Sequence, residues 1–125
     1  MDLRGKYLRG ALWDGRDIYL VEANRRVFHL YPWADKSSLD DYGVILSVTN
    51  SGALVETHVK SFAEIDPGAQ LNEDIAGFLK TYEIKTGRGI CLISVKANVL
   101  SGDFGLAVAD YNSEPHEDIR KLHDF

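Results

Sequence analysis

The sequence predicts an α+β domain: an antiparallel sheet of six or seven strands built from a meander and two hairpins, one amphipathic helix over about residues 72–83, and a short C-terminal helix. Three observations lead there. Apolar and polar residues alternate over short runs separated by Gly-containing turns, the pattern of half-buried strands. One stripe, Leu71, Ile75, Phe78, Leu79 and Tyr82, recurs at helical spacing instead. The chain has 125 residues, 45% of them hydrophobic and 26% charged, enough for one core in a single domain, 1–125.

The most strongly patterned stretch runs from Ile90 to Tyr111. A two-residue turn at Ser101-Gly102 makes it a hairpin, with Val99 opposite Phe104, Ala97 opposite Leu106 and Val95 opposite Val108. All six are apolar and share a face. A slip by one residue would turn them to water, so the pattern favours this register. It is the expected centre of the core.

In chain order, Tyr7–Trp13 and Arg16–Glu22 flank Asp14-Gly15, a strong hairpin signal. A second turn near Asn24-Arg25 leads to Val27–Tyr31. These turns put Leu8, Leu12, Tyr19, Val21, Phe28 and Leu30 on one face. The other face holds Tyr7, Arg9, Ala11, Trp13, Arg16, Ile18, Leu20, His29 and Tyr31. It is too aromatic for plain solvent, so either a helix covers it or it is a contact surface. Pro32–Gly43 reads as a loop. Val44–Thr49 and Ala53–Val59 read as a third hairpin around Ser51-Gly52, and Asp66-Pro67-Gly68 as another turn. Asn72 caps the expected helix, with Glu73 and Asp74 in its first turn. Asn112-Ser113-Glu114-Pro115 opens the second helix, whose stripe is Ile119 and Leu122.

Charge and composition bound the function. The net charge is −5, carried wholly by residues 61–125, because residues 1–60 hold eight acidic and eight basic side chains. An acidic balance disfavours a nucleic-acid partner and favours a basic one. The single cysteine, Cys91, precludes an internal disulfide and suits a reducing compartment. With no long apolar run and no signal-peptide core at Met1–Lys6, the expectation is a cytoplasmic protein without membrane attachment.

No catalytic motif stands out. Cys91 lies among Ile90, Leu92 and Ile93, the setting of an inert core thiol rather than a nucleophile. Glu56 and His58 are two apart on a strand and could act as a base with its orienting carboxylate, with His29 as a third polar group. His116 and His123 lie too far apart on a helix to share one ion. Asp103-Phe104-Gly105 lacks every other part of a kinase site. No cofactor and no metal are expected.

The leading expectation is therefore a non-enzymatic protein-binding module, most concretely a small acidic inhibitor or immunity protein that neutralises a basic enzyme such as a nuclease toxin. Its expected contacts are Asp35, Asp40, Asp41 and Tyr42 of the acidic loop, with Tyr7, Trp13, Arg16 and Tyr31 of the aromatic face, since aromatics and arginine anchor interfaces and carboxylates steer basic partners. One alternative is a small enzyme or ligand-binding domain with a pocket between sheet and helix, using Glu56, His58 and His29. The other is a self-associating subunit, a homodimer through the Tyr7–Tyr31 face.

Overall fold

The computed structural model describes residues 3–24, 26–34, 44–70, 78–97, 104–111 and 120–121. They form a nearly all-β structure. The strands are β1 (Tyr7–Trp13), β2 (Ile18–Glu22), β3 (Val27–Ala34), β4 (Val44–Thr49), β5 (Thr57–Gln70), β6 (Phe78–Thr86), β7 (Gly89–Ala97), β8 (Phe104–Tyr111) and β9 (Arg120–Lys121). Eight of them pair antiparallel in the order β4-β7-β6-β5-β1-β2-β3-β8, and β9 adds two residues beside β1. The one helical element among the described residues is a 3-10 turn, Ser51–Leu54, which buries Ala53 and Leu54.

The α+β expectation is thus overturned. The helical stripe fails because Phe78–Thr86 follows period two as well. Tyr82, Ile84 and Thr86 are separated by Glu83 and Lys85, and the segment is rich in Thr, Tyr and Ile, which suit a pleated surface. Its ladder with β7 runs unbroken from Phe78↔Ala97 to Thr86↔Gly89, so a helix over 72–83 is incompatible with it. Residues 71–77 lie outside the described residues. So does most of the expected C-terminal helix, but Arg120 and Lys121 pair as strand with Trp13 and Leu12.

Two expected hairpins also give way. β7 pairs with β4 on one edge and β6 on the other, which leaves no edge for β8. β8 instead runs the full length of β3. The apolar residues of the expected Ile90–Tyr111 hairpin still meet: Val95, Ala97, Phe104 and Leu106 pack in one cluster, across the sheet rather than side by side. Val44–Thr49 does not fold onto 53–59 either. Asn50 adopts a left-handed conformation (φ 58°), the 3-10 turn follows, and β4 is free to join β7. Asp66-Pro67-Gly68 is no chain reversal but an irregularity within β5, where the register shifts between Asp66 and Ala69; Pro is tolerated at such a bulge.

The meander keeps its three strands with a changed register. Leu12 and Tyr19 share a face, as expected, but the first reversal spans Asp14–Asp17 rather than Asp14-Gly15 alone, so Trp13 pairs with Ile18 and Leu12 with Tyr19; the turn after Glu22 spans three residues, so Tyr19 faces His29 and Leu20 faces Phe28. A bulge between Leu8 and Gly10 also brings Leu8 inward. The inner face is therefore Leu8, Ala11, Ile18, Leu20, Phe28 and Leu30, each at most 2% exposed. These residues form one cluster with Ala53 and Leu54 of the 3-10 turn and with Val59, Ile84, Cys91 and Ile93 from the second half of the sheet. The sheet curls so that its two halves cover each other.

Side chains close the curl. The Glu22 N–H donates to the Arg26 carbonyl (2.8 Å), so the backbone groups of Arg26, Phe28 and Leu30 face β2 and those of His29, Tyr31 and Trp33 face β8. Across the ladder, Gly105, Ala107, Ala109 and Tyr111 meet β3, while Phe104, Leu106, Val108 and Asp110 direct theirs to the outer edge. Two of those four are capped by β6: Lys80 Nζ donates to the Phe104 carbonyl (2.8 Å), and the Leu106 N–H donates to the Tyr82 hydroxyl (3.1 Å). Gly105 makes this approach feasible. A Cβ there would stand 2.8 Å from Tyr82 Oη and 3.0 Å from Trp33 Nε1. Gly105→Ala is expected to cost about 1–3 kcal/mol in urea unfolding, whereas Gly52→Ala, with nothing within 4 Å, should avoid that clash.

Candidate functional site

The densest polar chemistry lies on the outer face of the meander. Asp14 follows β1, and its Oδ1 accepts the N–H groups of Arg16 (2.8 Å) and Asp17 (2.7 Å), an Asx turn around Gly15 at φ 93°. This fixes Asp17 two residues before Tyr19, on the same face. The β2–β3 register brings His29 opposite Tyr19. The His29 ring lies parallel to Tyr19 (centroids 4.7 Å apart, 4° between planes) and tilted against Tyr31 (4.8 Å). His29 Nε2 is 2.8 Å from Asp17 Oδ2, and the Tyr19 hydroxyl donates to Asp14 Oδ2 (2.9 Å). Asp17 Oδ1 is buried without a hydrogen-bond partner, and the Arg16 Nε beside it is 4.0 Å away on an exposed side chain.

Opposing effects act on Asp14. Partial burial raises its pKa, but the Asp17 and Arg16 N–H groups, the Tyr19 hydroxyl and the nearby His29 together hold it below the ordinary carboxylate value.

A second group lies at the short β1–β5 junction, where Tyr7 pairs with His58 and Leu8 with Thr57. The Tyr7 hydroxyl donates to Glu56 Oε2 (2.9 Å), and its ring meets the His58 ring edge-on at 4.7 Å. The bond to Glu56 is the largest of the effects that raise the Tyr7 pKa. Glu56 is held at φ 49°, a conformation uncommon outside glycine. Arg88 donates to the Val55 carbonyl (3.3 Å) next to it. His29 is not part of this group: its neighbour Tyr19 faces Leu12, five residues along β1 from Tyr7, about 16 Å at strand spacing.

The four expected contacts from the meander are dispersed. Tyr7 meets Glu56 and His58, Trp13 packs against the core, Arg16 is exposed in the β1–β2 turn, and Tyr31 lies against His29. Asp35, Asp40, Asp41 and Tyr42 fall outside the described residues. The sequence reasoning passed over Asp17 and Trp33. Asp17 becomes visible only with the three-residue β2–β3 turn. Trp33, read as part of a loop, is a β3 residue opposite Gly105 and 38% exposed. Cys91 is fully buried, and burial pushes its thiol up to about 12, too high for a nucleophile at neutral pH. Among the described residues, no three metal-ligating side chains converge, and no helix is long and apolar enough to cross a membrane. No protein-family model, curated protein or solved structure matches the chain at a significant level.

The lowered Asp14 pKa sets the sign of a pH dependence. A carboxylate with a depressed folded pKa stabilises the fold above its unfolded pKa, and that contribution disappears as pH falls through the folded value. Asp14→Asn keeps an acceptor for the two turn N–H groups but loses the charge and the oxygen that accepts the Tyr19 hydroxyl, and is therefore expected to destabilise by about 1 kcal/mol at pH 6–7. The gap from wild type should narrow below about pH 4, as read by urea midpoints at each pH.

Proposed function

We propose that the chain is a non-enzymatic protein-binding module, most concretely a small acidic inhibitor of the immunity type that neutralises a basic enzyme such as a nuclease toxin. The observation that carries this reading is Trp33. It is a large aromatic side chain left 38% exposed at the end of a fully paired strand. It stands two residues before the acidic segment containing Asp35, Asp40, Asp41 and Tyr42. A rigidly based Trp followed closely in sequence by several carboxylates suits a basic surface: the ring anchors and the charges steer. The net charge of −5 works in the same direction. The reading places the protein in the cytoplasm, where a lone buried Cys91 stays reduced.

Partner binding is expected to weaken with rising salt. Asp40→Lys with Asp41→Lys should slow association, and Trp33→Ala should reduce affinity by about 30-fold, the mark of an interface anchor. Association rate and affinity unchanged in the charge-reversed double variant would remove the acidic segment from the interface.

A second reading rests on the 2.8 Å Asp17–His29 contact, the arrangement of a general base with an orienting carboxylate. In this reading the chain is a small hydrolase, and the pair replaces the Glu56–His58–His29 set. Hydrolysis of p-nitrophenyl acetate at least tenfold faster by wild type than by His29→Gln would favour it. Equal rates would dispose of it.

A further inference from the structure

Along β8 the backbone alternates between two fates. Gly105, Ala107, Ala109 and Tyr111 are answered by β3, and the edge-facing groups of Phe104 and Leu106 are answered by Lys80 and Tyr82. Among the described residues, nothing answers the N–H and C=O groups of Val108 and Asp110. Such groups match only another extended backbone.

We propose that the Val108–Asp110 edge of β8 is a strand-addition site for an extended segment of a partner protein, a proposal that rests on the binding-module reading and gives that partner a conformation. The side chains on either face set the partner's pattern. Leu106 and Val108 are partly buried and pack against the core, so a strand laid beside them meets apolar side chains inward. Outward, the described side chains beside Val108 are Ala107 and Ala109, small enough to leave room for long side chains. The chain's net charge favours those side chains being basic. Asp110 pairs through its side chain with Arg26 (3.1 Å), both exposed. The added segment is therefore extended, apolar at alternate positions and lysine- or arginine-bearing between them. The Lys80–Tyr82 clasp limits it to the Tyr111 end of the strand.

The test uses the full 125-residue chain and an eight-residue peptide alternating lysine and valine, with amide hydrogen exchange as the readout. Saturating peptide is expected to slow exchange at Val108 and Asp110 by tenfold or more, with little change at Ala107 and Ala109, already bonded to β3. Asp110→Pro deletes an edge-facing N–H and leaves the β3 ladder intact. It is expected to fold and to lose the protection at Val108. Asp110→Asn keeps the N–H and is expected to retain the protection. Failure of Asp110→Pro to fold would mean that this N–H is already used within the structure, and the proposal falls. Protection at the same amides that rises with protein concentration alone would assign the edge to a second copy of the chain, and the proposal again falls. Peptide-induced shifts confined to Trp33 and the segment after it, with Val108 and Asp110 unaffected, would refute strand addition while leaving the binding reading in place. Absence of any peptide binding refutes it too, leaving the acidic segment to be judged by its own charge reversal.

Discussion

An apolar sheet face must be covered. Here the described residues supply no helical layer, so the sheet covers itself. Leu20, Phe28 and Leu30 on one half join one cluster with Val59, Ile84 and Ile93 on the other. Burying a side chain of this size is worth about 1.5–3 kcal/mol, and that gain is available only if the strand order bends back on itself. β5 is the strand that allows this, because it pairs with β1 for two residues and then with β6 for the rest of its length. Where β8, at one end of the order, approaches β6, backbone groups that would otherwise lack partners are taken up by Lys80 and Tyr82. The Lys80 ammonium also lies 4.8 Å from the centre of the Phe104 ring, so one side chain contributes both a hydrogen bond and a cation–π contact.

The position of the polar chemistry follows from the same geometry. With one face committed to the core, ionisable groups gather on the outer face and at turns. The Asp14 turn is a local structure that any Asx-Gly sequence can form, but its link to His29 is not local. It depends on the β2–β3 register, and one residue more or less in that turn would put His29 on the other face from Tyr19.

What the sequence disclosed divides along this line. The span of the first strand, the presence of the next two and a reversal at Asp14-Gly15 were legible because they are set by alternation and turn chemistry over a few residues, while the second strand starts two residues later and the third runs three residues further than expected. Phe28 and Leu30 were recognised as inward-facing. Ile18 and Leu20 were assigned outward because nothing local distinguishes a two-residue turn after Glu22 from a three-residue one. The helix at 72–83 was misjudged because Phe78, Leu79 and Tyr82 satisfy period 3.6, while Tyr82, Ile84 and Thr86 satisfy period two equally well; pairing with β7 decided between them. The Ser101-Gly102 and Ser51-Gly52 hairpins assumed that neighbours in sequence pair in space. β7 had both edges occupied, so β8 went to β3, a pairing no local signal announces. For the site, residue types were readable and convergence was not: Glu56 and Tyr7 meet from 49 positions apart, and Asp17 and His29 meet across a turn of unread length.

The lone thiol has a practical consequence. Cys91 lies at the middle of the joint cluster with no accessible surface. A reagent that modifies free sulfhydryls can reach it only when the two halves of the sheet part. When the reagent is concentrated enough to outpace reclosing, the rate of modification reports how often the thiol is uncovered, with no label to introduce.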